Sequence, residues 1–268
     1  MMNDSAELKT CCAALYQSDF ARLLLGDVFH PGGRDLTARL GELLALAPGS
    51  RVLDVASGRG ESPIFLAQRF GCEVVGVDFG ADNVTESTLR AQQAGVSDLV
   101  RFEQGDAERL AYPDASFDAV ICECAFCTFP DKPSAAREFA RVLRQGGRVG
   151  LSDLTRRGPL PRELEGLLAW ISCIADALPV ADYVACLEEA GIAAPSVEPH
   201  DEALLQMVRD IQGKLLSAEL MVKLKKLELP GTDFEQAKSL ARAALEAIRS
   251  GVLGYTVITG QCPINHTT

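Results

Sequence analysis

A turn that contains two glycines follows a short apolar segment and is the part of this sequence best suited to bind a ligand. Residues Arg51–Val55 are apolar enough for a buried strand, and Gly58 and Gly60 follow them closely. Because glycine has no Cβ, a backbone that contains it lets a ligand approach closely. Ligands in open α/β sheets bind at the carboxyl ends of strands. We therefore predict a ligand site at residues 56–60.

Acidic residues stand at the ends of three successive predicted strands. Asp54 lies near the end of the first strand, Asp78 follows Glu73–Val77, and Asp106 follows Leu99–Gln104. One interpretation is that these residues only form turns, where Asp is common. Three acids at three successive strand ends favour a shared ligand site instead, because carboxylates accept hydrogen bonds from the hydroxyl and amino groups of a ligand.

The same stretch resembles the class I S-adenosylmethionine-dependent methyltransferases. Asp54 stands where that family carries an acid, and Gly105–Glu108 followed by Phe117-Asp118 resembles its later motifs. A dinucleotide site expects Gly-x-Gly-x-x-Gly, and the residue at the third glycine position is Pro63, which disfavours NAD.

The resemblance implies S-adenosylmethionine as the cofactor. It implies that Asp78 accepts hydrogen bonds from the ribose hydroxyls and that Asp106, with Ala107, holds the adenine amino group. Glu123 is a candidate contact for the substrate or for an amine of the cofactor. The residues that we expect to bind the cofactor are Asp54, Ala56, Ser57, Gly58, Gly60, Asp78, Phe79, Asp106, Ala107 and Glu123.

Nine cysteines call for an explanation, and three of them fall in Cys122–Cys127 at the end of the fourth predicted strand. In the methyltransferase fold this edge faces the methyl group of the cofactor. One interpretation is core packing, since free cysteine is often buried. Another is zinc, which thiolates bind in tetrahedral sites, although no histidine stands near; we predict no metal site. The third is a soft, thiophilic substrate held by thiolates.

The cysteine positions resemble those of the arsenite methyltransferase family. Residues 7–12 read Glu-Leu-Lys-Thr-Cys-Cys, Cys124 precedes Pro130-Asp131-Lys132, and residues 172–178 read Ser-Cys-Ile-Ala-Asp-Ala-Leu. The resemblance implies that Cys124, Cys173 and Cys12 are catalytic. It also implies that Cys124 and Cys173 bind trivalent arsenic, with Cys12 or Cys11 as the third thiolate or a redox partner. Thiolate-bound arsenic keeps a lone pair that can attack the methyl carbon, so no general base is needed. The family also implies a thiol reductant as a partner and a role in arsenic detoxification.

Two other functions remain open at this point. One is a methyltransferase for an organic metabolite, with a carbon, nitrogen, oxygen or sulfur acceptor, in which the cysteines only pack. The other is a non-enzymatic domain that binds the cofactor or a metal as a sensor. His30, in Phe-His-Pro-Gly-Gly, is a candidate base or substrate contact, with a purely structural role as the alternative.

Alternating strands and helices place these residues in one α/β unit. The predicted strands are Arg51–Val55, Glu73–Val77, Leu99–Gln104, Phe117–Cys122, Arg148–Leu154, Ile192–Glu198 and Gly254–Gly260, the last at an edge of the sheet. The predicted helices are 35–47, a helix that ends near Phe70, Ala81–Ala94, Lys132–Leu143, 162–178, 180–190, 201–227 and 233–250. Gly146-Gly147 is predicted to make the turn before the fifth strand. Such alternation is typical of a mostly parallel sheet with helices on both faces.

We therefore predict a Rossmann-like class I methyltransferase fold with a seven-stranded sheet and a helical cap. Residues 1–34 are expected to form an N-terminal extension or lid, 35–200 the cofactor-binding core, and 201–268 the C-terminal helices and the last strand. The net charge of −11 argues against nucleic acid as a partner. No apolar run reaches the roughly 20 residues of a membrane helix, and no signal peptide is visible, so a cytoplasmic protein with a small-molecule substrate is expected.

Overall fold

A single sheet of seven strands organises the chain. The computed structural model describes residues 9, 23, 26, 30–164, 174, 176–229 and 232–264. The strands are β1 (Arg51–Val55), β2 (Glu73–Asp78), β3 (Val100–Gln104), β4 (Phe117–Glu123), β5 (Leu143–Arg156), β6 (Ala193–Pro199) and β7 (Leu253–Gln261). The α-helices within these residues are α1 (Gly33–Leu43), α2 (Glu61–Phe70), α3 (Ala81–Gln93), α4 (Lys132–Val142), α5 (Val180–Glu189), α6 (Asp201–Lys223) and α7 (Phe234–Arg249).

The strand order is β3-β2-β1-β4-β5-β7-β6; β7 pairs antiparallel with both β5 and β6, and the other pairings are parallel. Consecutive residues of β1, β2 and β4 are buried rather than alternately buried and exposed. Strands that are buried on both sides belong to a sheet that is covered on both faces. The predicted seven-stranded, mostly parallel fold is thus confirmed.

Two predictions about the far side of the sheet are wrong. Gly146-Gly147 does not form a turn before the fifth strand but lies within β5, where the β4–β5 register shifts. Gly254–Gly260 does not form an edge strand, because β7 pairs with β5 on one side and with β6 on the other. The edge strand is β6.

The strand order predicts a crevice at the carboxyl ends of β1 and β4. The chain runs from β1 outward through β2 to β3, then returns to place β4 on the other side of β1. A crevice forms where the strand order reverses in this way. Asp54 pairs with Ile121 in the β1–β4 register, and Glu123 lies two residues further along β4. Side chains two residues apart share a face of a strand, so Asp54 and Glu123 project to the same side.

Helix α1 packs closely on the sheet beside this crevice. Leu36 and Leu40 are buried, and a Cβ on Gly150 of β5 would lie only 2.6 Å from Leu40 Cδ1. The buried Thr37 belongs to the same helix. The close packing of α1 on β5 therefore fixes the position of Thr37 and of the residues that lead into the helix.

The predicted division into extension, core and C-terminal part stays a prediction, as does the helical cap. Helices α6 and α7 contact each other and β7. Within the described ranges, no helix combines the length and apolarity that crossing a membrane requires.

A glycine of β2 offers a test of how tightly the sheet supports the turn after β1. A Cβ on Gly76 would lie 2.4 Å from Phe102 Cδ1 and 2.7 Å from Ser57 Oγ. We expect Gly76→Ala to lower the free energy of unfolding by about 1–3 kcal/mol, as overpacking does, in chemical denaturation. Gly213→Ala in α6 is the control, because among the described residues no atom outside the adjacent helix backbone lies within 4 Å of the new Cβ, and it should stabilise by roughly 1 kcal/mol. Equal stability of the two variants would contradict this packing.

Candidate functional site

The turn between β1 and α2 has three residues with positive φ. Ala56 has φ 60°, Gly58 53° and Gly60 80°. Glycine adopts this left-handed region freely, whereas a residue with a Cβ is strained by roughly 1–2 kcal/mol. A Cβ on Gly60 would also lie 2.6 Å from the Phe102 ring and 2.7 Å from Ser87 Cβ. Gly60 therefore occupies a position where Phe102 and Ser87 leave no room for a side chain. Of the three residues, only Ala56 adopts the strained conformation with a side chain.

A cleft opens above this turn at the carboxyl ends of β1, β2, β3 and β4. Nine of the ten predicted cofactor-binding residues line it, and Gly60 does not. Cys124 lines it as well. The predicted residues in the cleft wall are Asp54, Ala56, Ser57, Gly58, Asp78, Phe79, Asp106, Ala107, Glu123 and Cys124.

Asp54 lies at the deep end of the cleft and lacks a full set of partners. Its side chain is buried, and Oδ2 has no hydrogen-bond partner among the described residues. Ser57 Oγ is buried and unpartnered in the same way. Burial, together with the nearby charges of Glu123 and Asp78, holds the pKa of Asp54 well above its usual range. A buried polar atom without a partner is costly, so these two atoms are suited to a polar, positively charged ligand group.

Asp78 connects β2 to the turn after β1. Its Oδ2 accepts a hydrogen bond of 2.8 Å from the Gly58 amide, and its Oδ1 accepts hydrogen bonds from the Gly80 amide and from Asn83 Nδ2. Burial raises the pKa of Asp78, and these three donors oppose that rise. A carboxylate has about four acceptor sites, so Asp78 can still accept a hydrogen bond from a ligand hydroxyl.

Asp106 lies at the other end of the cleft and pairs with a residue from the N-terminal segment. Lys9 Nζ donates to both Asp106 oxygens, at 3.0 and 2.8 Å, and to Glu108 Oε2 at 2.6 Å. Lys9 itself lines the cleft. Asp106 would therefore share its carboxylate between Lys9 and a bound ligand.

Glu123 belongs to a buried polar network at the end of β4. Its carboxylate accepts hydrogen bonds from Ser62 Oγ at 2.6 Å and from Thr37 Oγ1 at 3.1 Å. The Nε2 atom of His30 lies 3.6 Å from Glu123 Oε2 and 3.3 Å from Thr37 Oγ1. His30, Ser62 and Glu123 all line the cleft, so this network forms one of its walls.

The structure separates the cysteines that the sequence placed together. Cys122 and Cys127 are buried and do not line the cleft, and burial raises the pKa of the Cys122 thiol. Cys124 is half-buried and faces the cleft, in a left-handed conformation with φ 54°. Cys11, Cys12 and Cys173 lie outside the described residues. Within the described part of the chain, no group of three or more His, Cys, Asp and Glu side chains is arranged to hold a metal ion.

Several residues of the cleft and its polar network were not selected from the sequence, among them Asn83, Ser62, Lys9 and Thr37. Asn83 stands five residues after Asp78, and Ser62 lies in the first turn of the helix after the glycines. Both positions are close to strand ends in the sequence, and this could have indicated them as site residues. Lys9 and Thr37 carry no such signal, because their place depends on how distant segments pack.

The sheet order and the cleft define the fold of the class I methyltransferases. Residues 53–151 match the family described as a methyltransferase domain. This match is limited to residues 53–151, and at the level of that domain family it bears out the predicted cofactor S-adenosylmethionine.

Relatives of known activity act on different acceptors. The chain is 37% identical over 174 residues to a 27-O-demethylrifamycin SV methyltransferase from Amycolatopsis mediterranei, covering 61% of each protein. It is 33% identical over 162 residues to an arsenite methyltransferase from Halobacterium salinarum, covering 59% of this chain and 41% of that protein. The chain thus spans about three fifths or less of the length of these relatives. The arsenite resemblance is one among several, and the acceptor is not decided by them.

A solved structure agrees with the fold. A Haemonchus contortus phosphoethanolamine N-methyltransferase 2 in complex with S-adenosyl-L-methionine superposes with a TM-score of 0.81 at 16% identity. The match covers 96% of this chain and 60% of that one. At this identity the likeness shows the fold alone.

The raised pKa of Asp54 gives a prediction about stability. The folded protein keeps a proton on Asp54 that the unfolded chain loses above about pH 4. The free energy of unfolding of the ligand-free protein therefore contains a contribution that falls as pH rises from about 4 toward the raised pKa. We expect Asp54→Asn to gain stability relative to the wild type over that range, measured by denaturation at about pH 5 and about pH 8.

An exposed aspartate provides the control. Asp98 is exposed, so Asp98→Asn removes a carboxyl group without touching the buried site and is measured beside Asp54→Asn at both pH values. A stability difference between Asp54→Asn and the wild type that does not grow with pH would show that Asp54 is ionised as easily as in the unfolded chain.

Proposed function

We propose that this chain binds S-adenosylmethionine in the cleft and transfers its methyl group to a small molecule. The observation that supports this most directly is the pair of buried, unpartnered atoms, Asp54 Oδ2 and Ser57 Oγ, beneath a turn with positive φ. The bound cofactor supplies an ammonium group, a sulfonium centre and an electrophilic methyl group. The methyltransferase-domain match over residues 53–151 supports the same activity.

Different residues of the cleft are suited to different groups of the cofactor. Asp54 and Ser57 are suited to the amino-acid end, where a positive charge would relieve the buried carboxylate. Asp78 is suited to the ribose hydroxyls and Asp106 to the adenine amino group. The protein mainly has to hold the two reactants close and aligned, because methyl transfer is an in-line displacement.

Cofactor binding can be tested by calorimetry with S-adenosylmethionine and S-adenosylhomocysteine. We expect Asp78→Asn to weaken binding at least about tenfold, since a hydrogen bond to a charged group contributes about 1.5–3 kcal/mol. Asp98→Asn should bind like the wild type. Absence of binding by the wild type would refute the proposal, and binding without release of S-adenosylhomocysteine in the presence of any acceptor would favour a sensor.

Trivalent arsenic is the first candidate acceptor. It is supported by Cys124, whose half-buried thiol faces the cleft beside Glu123. Cys173 and Cys12 or Cys11 would supply the other thiolates, and a thiol would serve as reductant. Soft thiolate ligands suit a thiophilic substrate, which would be methylated without a general base.

Removal of one thiol tests the arsenic candidate. Cys124→Ser should lose at least about tenfold in affinity for arsenite, because the loss of one ligand costs more than about 1.4 kcal/mol. Binding is measured by mass spectrometry of the protein with arsenite and a thiol. The control is Cys186→Ser, a half-buried cysteine of α5 outside the cleft. Equal arsenite binding by Cys124→Ser and the wild type would exclude this acceptor.

An organic metabolite is the second candidate acceptor. The specific observation in its favour is the polar network of His30, Thr37, Ser62 and Glu123, which thiolate-bound arsenic does not require. The similarity to the rifamycin methyltransferase supports the same class.

A further inference from the structure

We propose that Lys9 makes the nucleobase end of the cleft selective for a base with an exocyclic amino group. Lys9 is a positioning residue in this proposal, because it acts on the cofactor through the carboxylate of Asp106. The inference rests on the proposed binding of S-adenosylmethionine and adds to it a residue from the N-terminal part of the chain. Its basis is the way in which one ammonium group binds two carboxylates at the end of β3.

The ammonium group of Lys9 is bound by three carboxylate oxygens of one turn. Its Nζ donates to the two oxygens of Asp106, at 3.0 and 2.8 Å, and to Glu108 Oε2 at 2.6 Å. A lysine side chain has three N–H donors, and these three contacts account for them. Lys9 therefore acts on a bound nucleobase through Asp106 rather than by a hydrogen bond of its own.

The ion pairs of Lys9 are sheltered from solvent. The side chain of Lys9 is only 13% exposed. Burial lowers the pKa of Lys9, but its hydrogen bonds to Asp106 and Glu108 and the charges of these residues outweigh burial, so the pKa is raised. Partly buried ion pairs are screened less by salt than exposed ones. Lys9 is thus a permanent cation at this end of the cleft.

Glu108 connects Lys9 to a fixed point of the fold. Its Oε1 accepts a hydrogen bond of 2.8 Å from the backbone amide of Asp131, at the start of α4. Asp131 caps that helix by accepting a hydrogen bond from the Ser134 amide. Because Glu108 is fixed by α4, it also fixes the ammonium group of Lys9. Lys9 then holds Asp106, which lies 97 residues further along the chain.

Asp106 keeps the capacity to accept one more hydrogen bond. Its Oδ1 accepts from Lys9 and from the Glu108 amide, and its Oδ2 accepts from Lys9. A carboxylate has about four acceptor sites, so one site remains on Oδ2. Asp106 lines the cleft, where an amino group of a bound base can donate to this site. A base that carries only a hydrogen atom in place of the amino group cannot do so.

Removal of the ammonium group would change the orientation of Asp106. Two carboxylates, Asp106 and Glu108, would then lie two residues apart with no cation between them, and their charges would repel each other. The Asp106 side chain could turn away from the cleft. Its contribution to the recognition of an amino group would fall, whereas contacts to the rest of the nucleoside would stay.

Lys238 provides a matched control. Its ammonium group also bridges two carboxylates, those of Glu219 and Glu235, and its side chain is 17% exposed. Lys238 belongs to α7, and none of these three residues lines the cleft. Lys238→Met therefore removes the same arrangement of charges without touching the nucleobase end.

The test compares two ligands that differ in one group. One is S-adenosylhomocysteine, and the other is its analogue with hydrogen in place of the adenine amino group. Calorimetry measures both affinities for each full-length variant. We expect the wild type to prefer S-adenosylhomocysteine at least about tenfold, because a hydrogen bond to a charged acceptor is lost with the analogue.

Lys9→Met should reduce this preference to within about threefold, whereas Lys238→Met should keep it. The ratio of two affinities in one variant is unaffected by a change in the folded fraction, which alters both affinities equally. Glu108→Gln is the second variant, should Lys9→Met fail to fold. It keeps an oxygen for the Asp131 amide, removes the charge that binds Lys9, and should lower the preference in the same direction.

The outcomes that contradict the proposal differ from those that contradict cofactor binding. Equal weakening of both ligands by Lys9→Met, with the preference kept, would overturn the proposal, because Lys9 would then only support the structure. A wild type that binds the two ligands equally would overturn it too, while leaving cofactor binding intact. A wild type that binds neither ligand would refute the proposed function together with this inference.

Discussion

The burial of the Asp54 carboxylate at the end of β1 is the constraint on which the site depends. β1 lies between β2 and β4, and its end is covered by the turn that leads into α2. One carboxylate oxygen has no hydrogen-bond partner among the described residues. The burial of this group lowers the free energy of unfolding, compared with an arrangement in which the carboxylate is hydrogen-bonded or exposed to water. A protein can keep such a destabilising group where a bound ligand compensates for it, because activity and stability are often opposed at a binding site.

The turn after β1 supports this constraint through its backbone. Its three positive φ values bring the Gly58 amide within 2.8 Å of Asp78 on the neighbouring strand. The carboxylate of Asp78 therefore connects the turn to β2, while Ala56 adopts a left-handed conformation that glycine adopts more easily. The strain is local, and the packing of Phe102 and Ser87 against Gly60 keeps the chain from relaxing it.

The two ends of the cleft have different origins. The end that we propose for the cofactor is built from residues at the ends of β1, β2 and β3. The end that we propose for the acceptor combines the end of β4 with His30 and Thr37, which come from before β1 and from α1. A shared fold and a shared cofactor therefore leave the acceptor open, in agreement with relatives that act on a rifamycin and on arsenite.

The sequence by itself determined the alternation of strands and helices and the acids at three strand ends, because hydrophobic periodicity and strand-end residues are local properties. Nine of ten predicted cofactor contacts line the cleft for that reason. Tertiary structure alone decided that β7 lies inside the sheet, that Gly146-Gly147 interrupts a strand, and that Cys124 faces the cleft while Cys122 and Cys127 are buried. These features depend on strand pairing between distant segments and on the left-handed residue after β4, as does the meeting of His30 with Glu123. The residues that meet in these features lie far apart in the chain, so the spacing of residues in the sequence does not predict their contacts.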